Sequence, residues 1–272
     1  MDILDFHTHS YFSDGTLSPN QLIKQAFEDK ITQISLTDHD NVLGLKEAEE
    51  TAENLGIKFI KGIEISSQSK QFPVIHVLGY HLKDFNALDD VINENAESLR
   101  ERNSRIIKFL QENCDINIDI NDFYNFFKGT VGKGNLAQYM KYKGYTSSFK
   151  EAEDIMRPYK AGSYGVDIKQ AIKAIHNAGG KAFLAHPYNL KNDDNLLETL
   201  KEFVSYGLDG VECFHTNHSD EQIKLYLDCA QNLNLKISGG TDFHGEFKPL
   251  VKLGYGKGDK PLLQNEFISI YE

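Results

Sequence analysis

The stretch MDILDFHTHSYFSDG, residues 1–15, decides how the rest of this chain is interpreted. Its apolar residues up to Phe6 predict a short buried strand, which His7 and His9 follow directly. Side chains alternate between the two sides of an extended segment, so His7 and His9 point the same way and can converge on one ion. Asp14 follows on a loop that can fold back over them. An isolated pair of this kind also suits two solvated histidines, so the decision rests on the remaining sequence.

The composition bounds the class of protein. With 272 residues, the chain is long enough for one large α/β barrel or two modest domains. Its 29 basic and 40 acidic residues give a net charge of −11, which argues against partners such as duplex DNA or an anionic membrane. Three cysteines at unrelated spacings do not suggest a disulfide framework. Because Asp2 and Asp5 interrupt any apolar leader, we expect a cytoplasmic protein.

Short β-branched runs alternate with helical patterns in two parts of the chain. This alternation is typical of a parallel βαβ succession and predicts an α/β barrel formed by residues 1–84 and 163–272. Predicted strands include Ile31–Leu36, Lys58–Ile63 and Val74–Tyr80. Between residues 85 and 162 the pattern contains helices and no convincing buried strand. We interpret that segment as a small helical insertion domain that covers the barrel mouth.

The predicted strands share one feature, because each meets a potential metal ligand. The loops at the C-terminal ends of barrel strands converge on one face, which is where active sites lie. Imidazoles and carboxylates without thiolates suit Mn²⁺, Fe²⁺ or Zn²⁺. The number of candidates exceeds the needs of one tetrahedral ion, so two or three ions are expected, with Glu64 and Asp242 as candidate bridging carboxylates. The residues at these positions are His7, His9, His39, Glu64, His76, His186, His215, Asp242 and His244.

These residues occur in an ordered set of motifs that resembles the PHP (polymerase and histidinol phosphatase) phosphoesterases. The motifs are His7-x-His9 with Ser13-Asp14-Gly15, Thr37-Asp38-His39-Asp40, Gly62-x-Glu64-x-Ser66, His76, Ala185-His186-Pro187 and Asp242-x-His244. The resemblance implies a distorted seven-stranded (β/α) TIM-like barrel with a trinuclear metal centre. It assigns one ion to His7, His9, Glu64 and Asp242, a second to Glu64, His76 and His186, and a third to Asp14, His39 and His244.

The insertion is similar to that of one branch of this family, which includes 3′,5′-nucleoside bisphosphate phosphatases and a 5′→3′ exoribonuclease. That branch often has Gly-Arg-x-His where this chain has Gly132-Lys133-Gly134-Asn135. Lysine keeps a cation there but loses the bidentate fork of arginine. The resemblance places His215 near the substrate rather than a metal. The candidate substrate-binding residues are Lys133, Arg102, Arg105, His215 and His218.

The leading hypothesis is a metal-dependent phosphoesterase in which a metal-bound hydroxide attacks phosphorus, with no further catalytic residue assigned. The expected substrate is a phosphate monoester of a small nucleotide, such as a nucleoside 3′,5′-bisphosphate. Alternatives within the family are a histidinol-phosphate-type phosphatase and a 5′→3′ exonuclease. Alternatives of another class are an amidohydrolase, which also opens with His-x-His on a barrel strand, and a non-catalytic binding module.

Overall fold

The computed structural model describes residues 2–159 and 162–263. In that part of the chain, eight strands and nine α-helices follow one another. The strands are β1 (Ile3–Asp5), β2 (Ile31–Leu36), β3 (Lys58–Gln68), β4 (Ile75–Tyr80), β5 (Val166–Asp167), β6 (Lys181–Leu184), β7 (Gly210–His215) and β8 (Lys236–Gly240). The helices are α1 (Pro19–Glu28), α2 (Leu45–Leu55), α3 (Asp89–Cys114), α4 (Ile120–Phe126), α5 (Lys133–Tyr142), α6 (Phe149–Met156), α7 (Ile168–Asn177), α8 (Leu196–Ser205) and α9 (Asp220–Leu233).

Seven of these strands form a nearly closed barrel in the order β1-β2-β3-β4-β6-β7-β8, and the short β5 pairs with β3 outside this path. The ends of the path approach each other, since the backbone N–H of Phe6 donates to the carbonyl oxygen of Gly239 at 3.2 Å. Thr8 and Phe243 form a parallel bridge beyond that point. The predicted seven-stranded α/β barrel is therefore confirmed.

The prediction of an entirely parallel succession is wrong at β4, which runs antiparallel to both β3 and β6. Only residues 69–74 connect β3 to β4, and a parallel crossover needs a dozen or more residues. The chain therefore makes a hairpin, in which Ser66 lies opposite His76. Glu64 consequently lies within β3 rather than at its end, and His76 lies near the start of β4 rather than near its end. The reversal still brings His76 to the same end of the barrel as the C-terminal ends of the parallel strands.

The helices around the barrel follow from local sequence signals. Ser18 caps α1 in a capping box with Gln21, and Pro19 occupies its first turn. Asp167 and Gln170 form the same arrangement at the start of α7. The apolar face of α7, with Ile172 and Ile175 among its members, is buried in the largest core cluster of the barrel. In the described part of the chain, no helix is long and apolar enough to cross a membrane.

Helices α3 to α6 lie between β4 and β5 and share an apolar core of their own. Their contacts with the barrel lie close to the segment that carries Asp14. The backbone N–H of Thr130 donates to the carbonyl oxygen of Phe12 at 2.8 Å. The division of the chain at residues 84/85 and 162/163 stays a prediction. Buried members of the shared core include Leu110, Phe123, Leu136, Met140 and Met156.

The packing of α8 against the barrel gives a matched pair of substitutions. Leu200 is fully buried, whereas Val204, one turn later, is 36 % exposed. We expect Leu200→Ala to lower the free energy of unfolding by about 2–5 kcal/mol, because it leaves a cavity in the core. Val204→Ala should change it by less than about 1 kcal/mol. Chemical denaturation measures both values, and equal losses would contradict the placement of α8.

Candidate metal centre

The nine side chains that the family resemblance assigns to the three ions come together at one end of the barrel. Three compact groups of potential ligand atoms occur in the described part of the chain, and within each group these atoms lie within 4.8 Å of one another. Both histidines of the opening motif belong to this cluster, although the two strands that supply Glu64 and His76 run in opposite directions. The groups are His7, His9, Glu64 and Asp242; His9, Asp14, His39 and His244; and His39, Glu64 and His76.

The carboxylate of Glu64 lies at the middle of the cluster and is completely buried. Its Oε2 atom lies 3.1 Å from His7 Nε2, 3.2 Å from His9 Nε2 and 3.1 Å from His39 Nδ1. Its Oε1 atom lies 2.9 Å from both His76 Nδ1 and His186 Nε2. One carboxylate therefore contacts five imidazoles, which is the arrangement expected of a ligand that bridges ions.

Two further carboxylates, those of Asp242 and Asp14, face the cluster. Asp242 Oδ1 lies 3.2 Å from His9 Nε2. Asp14 Oδ1 lies 3.0 Å from His244 Nε2 and 3.8 Å from His39 Nε2. One group consists of the same four residues as the first predicted ligand set, His7, His9, Glu64 and Asp242. The group around Asp14 contains His9 in addition to the three residues predicted for the third ion. The group around His76 contains His39 in place of His186, which was predicted for the second ion.

The donor set fits divalent metal ions. Several buried nitrogen and oxygen atoms that point into the cluster have no hydrogen-bond partner, although buried polar atoms are normally paired. The groups consist of imidazoles and carboxylates, which suit borderline and hard divalent ions. An ion placed among these atoms would supply the missing interactions. The atoms are His7 Nε2, His9 Nε2, His39 Nδ1, His76 Nδ1, Asp14 Oδ1 and Glu64 Oε2.

The electrostatics of the cluster follow from burial and from its mixed charges. Burial lowers the pKa of His9, but the carboxylates of Asp242 and Glu64 outweigh it and raise that pKa to about 9. Burial also lowers the pKa of His76, but Glu64 and Tyr164 outweigh this effect and raise that pKa to about 10. Burial raises the pKa of Glu64, but the surrounding imidazoles hold it well below its usual range. The carboxylates are therefore ionised and attract cations.

Hydrogen bonds outside the cluster orient the ligand imidazoles. Glu212, fully buried on β7, accepts a hydrogen bond from His7 Nδ1 at 3.0 Å and another from the backbone N–H of His186 at 2.7 Å. His244 Nδ1 donates to the carbonyl oxygen of Asp242 at 2.7 Å. A carboxylate or carbonyl oxygen only accepts, so the Nε2 lone pairs of His7 and His244 face the cluster. Sequence reasoning missed Glu212, although a carboxylate inside an apolar strand was a signal for it.

Two predicted ligands have left-handed backbone conformations, which non-glycine residues adopt rarely. The φ angle is 28° at His186 and 57° at Asp242. Each residue comes directly or soon after a barrel strand, at the point where the chain leaves the sheet. The unusual backbone turns the side chain toward the cluster, which is typical of strained residues at functional sites.

The first two turns of α5 hold the loop that carries Asp14. The side-chain amide of Asn135 donates to the carbonyl oxygen of Ser13 at 2.6 Å, and that of Gln138 donates to the carbonyl oxygen of Asp14 at 2.5 Å. A Cβ atom at Gly134 would lie only 2.5 Å from Asp14 Oδ2, so a side chain there would displace the carboxylate. The motif at residues 132–135 therefore positions a predicted ligand, a role that its sequence did not reveal.

A cavity of about 420 Å³ opens over the cluster, and a second of about 170 Å³ continues beneath the insertion. Lys133 lines both cavities, and Arg102 lines the second one together with Tyr164. Asp14, His39 and His76 also line both cavities, so the two cavities adjoin each other beside the cluster.

The other predicted substrate-binding residues lie elsewhere. His215 Nε2 lies 3.6 Å from Asp242 Oδ2, at the edge of the cluster. His218 is fully buried behind it, with Nδ1 donating to the carbonyl oxygen of Cys213 at 2.9 Å. Arg105 does not line either cavity in the described part of the chain, and its guanidinium lies 3.7 Å from Glu101 on the same helix.

Lys248 is a further residue that sequence reasoning missed. Its Nζ atom lies 2.6 Å from Asp242 Oδ2, and its side chain lines the larger cavity. Burial lowers the pKa of Lys248, but Asp242 outweighs it and raises that pKa, so the amine is a cation. The only sequence signal was its position four residues after His244. Lysine is most often a solvated surface residue, so this position did not stand out.

Comparison with known proteins places this geometry in a family. The family model of the PHP domain matches residues 5–210. A 5′-3′ exoribonuclease of Haemophilus influenzae is 30 % identical over 88 % of this chain and 89 % of its own length. A phosphoribosyl 1,2-cyclic phosphate 1,2-diphosphodiesterase of Eggerthella lenta is 26 % identical over 93 % and 98 %, respectively. A 3′,5′-nucleoside bisphosphate phosphatase of Chromobacterium violaceum is 27 % identical over 89 % and 87 %.

A solved structure supports the same assignment. A Bifidobacterium adolescentis protein named as a metal-dependent phosphoesterase superposes with a TM-score of 0.85, covering 97 % of this chain and 93 % of that one at 26 % identity. The strand-end cluster, the family match and this structural likeness agree. The chain belongs to the PHP domain family and is a metal-dependent phosphoesterase.

Proposed function

We propose that this enzyme hydrolyses a phosphate monoester on a small nucleotide that carries two phosphates, such as a nucleoside 3′,5′-bisphosphate. The observation that carries the proposal is a pair of adjacent cavities that share Asp14, His39, His76, Lys133 and Gly134 among their lining residues. One lies over the ligand cluster, and the other is lined by Arg102 and Lys133. A substrate with two phosphates can place one at each position. The named activity of the Chromobacterium violaceum relative supports the same substrate class.

We further propose that the nine clustered side chains hold two or three divalent ions of Mn, Fe or Zn. When bound, such ions lower the pKa of water to produce a nucleophile and neutralise charge on phosphoryl oxygens. Glu64 contacts ligands of all three groups, so it would hold these ions close together despite their like charges.

Arg102 and Lys133 are suited to bind the second phosphate. The guanidinium of Arg102 lies 4.1 Å from the ring centroid of Tyr164, whose hydroxyl lies 3.3 Å from His76 Nε2. This stacking fixes the guanidinium beside the cluster. Arg102 Nε is buried and has no hydrogen-bond partner. Burial and the nearby Arg102 lower the pKa of Lys133, so an anion between the two cations would relieve their repulsion.

Two other side chains face the phosphate that would react. Lys248 neutralises Asp242 on the side away from His9 and lies on the cavity wall, where its ammonium can also attract a phosphoryl oxygen. His215 Nδ1 accepts a hydrogen bond from the backbone N–H of Asn217 at 3.0 Å. A neutral His215 therefore carries its proton on Nε2, which is directed at the cluster.

Metal binding should depend on pH in a defined direction. The pKa values of His9 and His76, raised to about 9 and about 10, mean that these rings carry protons at pH 7 until an ion displaces them. We therefore expect Mn²⁺ binding to release protons and its affinity to fall as the pH falls from 8 to 6, by about tenfold per unit for each proton released. Calorimetry in two buffers of different ionisation enthalpy measures this release. Affinity that is independent of pH would contradict the assignment.

Removal of Asp14 tests how the ligands are divided among the ions. We expect Asp14→Ala to lose one ion and keep the others, because Asp14 belongs to only one of the three groups. Elemental analysis of the purified, metal-loaded variant gives the count. The control is Glu153→Ala, which removes a carboxylate from the same cavity outside the groups and should leave the metal content unchanged. Full metal content in Asp14→Ala would show that the assignment is wrong.

Substrate preference tests the proposed function itself. Metal-loaded enzyme should hydrolyse adenosine 3′,5′-bisphosphate with a kcat/KM at least about 100-fold above that for 4-nitrophenyl phosphate, since only the former fills both cavities. Arg102→Ala and Lys133→Ala should each raise the KM for the bisphosphate about tenfold or more and affect the aryl phosphate little.

The matched control for these variants is Lys108→Ala. Lys108 lies on the same helix as Arg102 and is 73 % exposed in a contact with Glu112. Its replacement should change neither substrate's kinetics. Equal turnover of the bisphosphate and the aryl phosphate by the unmodified enzyme would contradict the proposed substrate. Hydrolysis of an amide or lactone in place of both phosphates would favour the amidohydrolase alternative.

A further inference from the structure

A line of aromatic rings leads from the metal-ligand cluster to the surface of the insertion. Phe247 lines the cavity, and its ring centroid lies 6.0 Å from that of His244. From there the centroid separations are 5.5 Å to Phe149, 5.7 Å from Phe149 to Tyr142 and 6.1 Å from Tyr142 to Phe126. We call Phe247, Phe149, Tyr142 and Phe126 the aromatic strip.

The outer half of the strip is exposed. Phe126 is 44 % and Tyr142 is 43 % exposed, and their rings lie within 25° of parallel. In the described part of the chain, eight large apolar side chains are exposed, and four of them belong to residues 120–145 of the insertion. Apolar exposure that is concentrated in one segment, and that includes a stacked pair of rings, indicates a binding surface.

Two lysines lie over the rings of this surface. Lys141 Nζ is 4.6 Å from the ring centroid of Tyr142 and 4.9 Å from that of Phe149. Lys143 Nζ is 5.5 Å from the centroid of Phe126 and 2.8 Å from the carboxylate of Asp122. Because Asp122 balances Lys143, the outer strip carries little net charge. Its partner should therefore be bound mainly through ring faces, with a modest contribution from phosphate charge.

We propose that the aromatic strip binds the bases of a single-stranded oligonucleotide whose 5′ end occupies the metal-ligand cluster. Aromatic rings beside basic side chains are the usual platform for single strands, because every base has a face that can stack. The strip begins at Phe247 in the larger cavity, which Lys133 also lines. A chain whose second phosphate is bound at Lys133 can therefore continue along the strip. The inference rests on the proposed function, since it extends the same substrate beyond one nucleotide.

The inference implies a length dependence and a preference for single strands. Metal-loaded, full-length protein should bind a 5′-phosphorylated, 3′-fluorescein octaadenylate at least about tenfold more tightly than the dinucleotide, because each stacked base adds affinity. Both ligands carry 2′-O-methyl groups and phosphorothioate linkages, which prevent cleavage of the chain without removal of the metal. Fluorescence anisotropy measures both dissociation constants. An eight-base-pair RNA duplex should bind more weakly than the octamer, because its bases are already stacked. Equal affinity for two and eight nucleotides, or for the duplex, would overturn the proposal.

Variants separate stacking from simple apolar contact. Tyr142→Leu should weaken octamer binding by about 5- to 100-fold, whereas Tyr142→Phe should retain it, because only the ring is required. Phe27→Ala removes a 53 % exposed aromatic ring from α1 and serves as the control, which should not affect binding. Since Tyr142 is exposed, its variants should keep the unfolding temperature of the parent. Octamer binding by Tyr142→Leu equal to that of the parent would also overturn the proposal.

The two proposals fail separately. Turnover of adenosine 3′,5′-bisphosphate by the unmodified, metal-loaded enzyme depends only on the proposed function. If this turnover occurs while oligonucleotide binding is independent of length, the proposal for the aromatic strip is wrong and the proposed function stands. If turnover is absent, the proposed function is wrong whatever the binding result.

Discussion

The structure depends on one buried carboxylate. Glu64 is removed from water in the middle of the barrel mouth, where an ionised group is very unfavourable unless opposite charge surrounds it. Five imidazoles supply polar contacts to its two oxygens. They come from four different strands or strand ends, so these strands must assemble around β3 before the contacts can form. The same requirement makes the site attractive to cations and ties the fold to its chemistry.

The reversed strand β4 shows how the barrel adapts to this centre. A parallel strand would carry its N-terminal residues to the opposite end, yet His76 is the second residue of β4. The hairpin with β3 places His76 opposite Ser66, two residues from Glu64, and so supplies an imidazole from the beginning of a strand. Insertion helix α5 contributes from above, where Asn135 and Gln138 hold the carbonyl groups of the Asp14 loop. The barrel and the insertion therefore shape one site together.

Much of this arrangement could be predicted from the sequence, because the ligands carry their chemistry in their residue types and follow short apolar runs. Alternation in an extended segment placed His7 and His9 on one side, and the recurrence of ligand types after other apolar runs identified the pair as part of a site. Asp14 was assigned to an ion by the family resemblance. The direction of β4 was not predicted, because the composition of residues 69–74 is that of an ordinary loop. Only their number shows that the connection is too short for a parallel crossover. The extent of β3 was missed because Ser66, Ser67 and Gln68 are polar. Ser66 and Ser67 are buried, and all three residues pair with β4 or β5. These neighbouring strands, rather than the intrinsic strand propensity of the three residues, extend β3.

The supporting residues were harder to predict for a different reason. Glu212 contacts His7, which lies 205 residues earlier in the sequence, and Lys248 contacts Asp242 through a loop. Neither contact produces a local sequence pattern.

Glu64 and the residues around it form, in our interpretation, a multinuclear metal site. Anomalous diffraction from crystals grown with Mn²⁺ tests it most directly. We expect at least two anomalous peaks in contact with Glu64 and its imidazoles. A cluster without anomalous peaks, in which Glu64 keeps only its imidazole contacts, would contradict it.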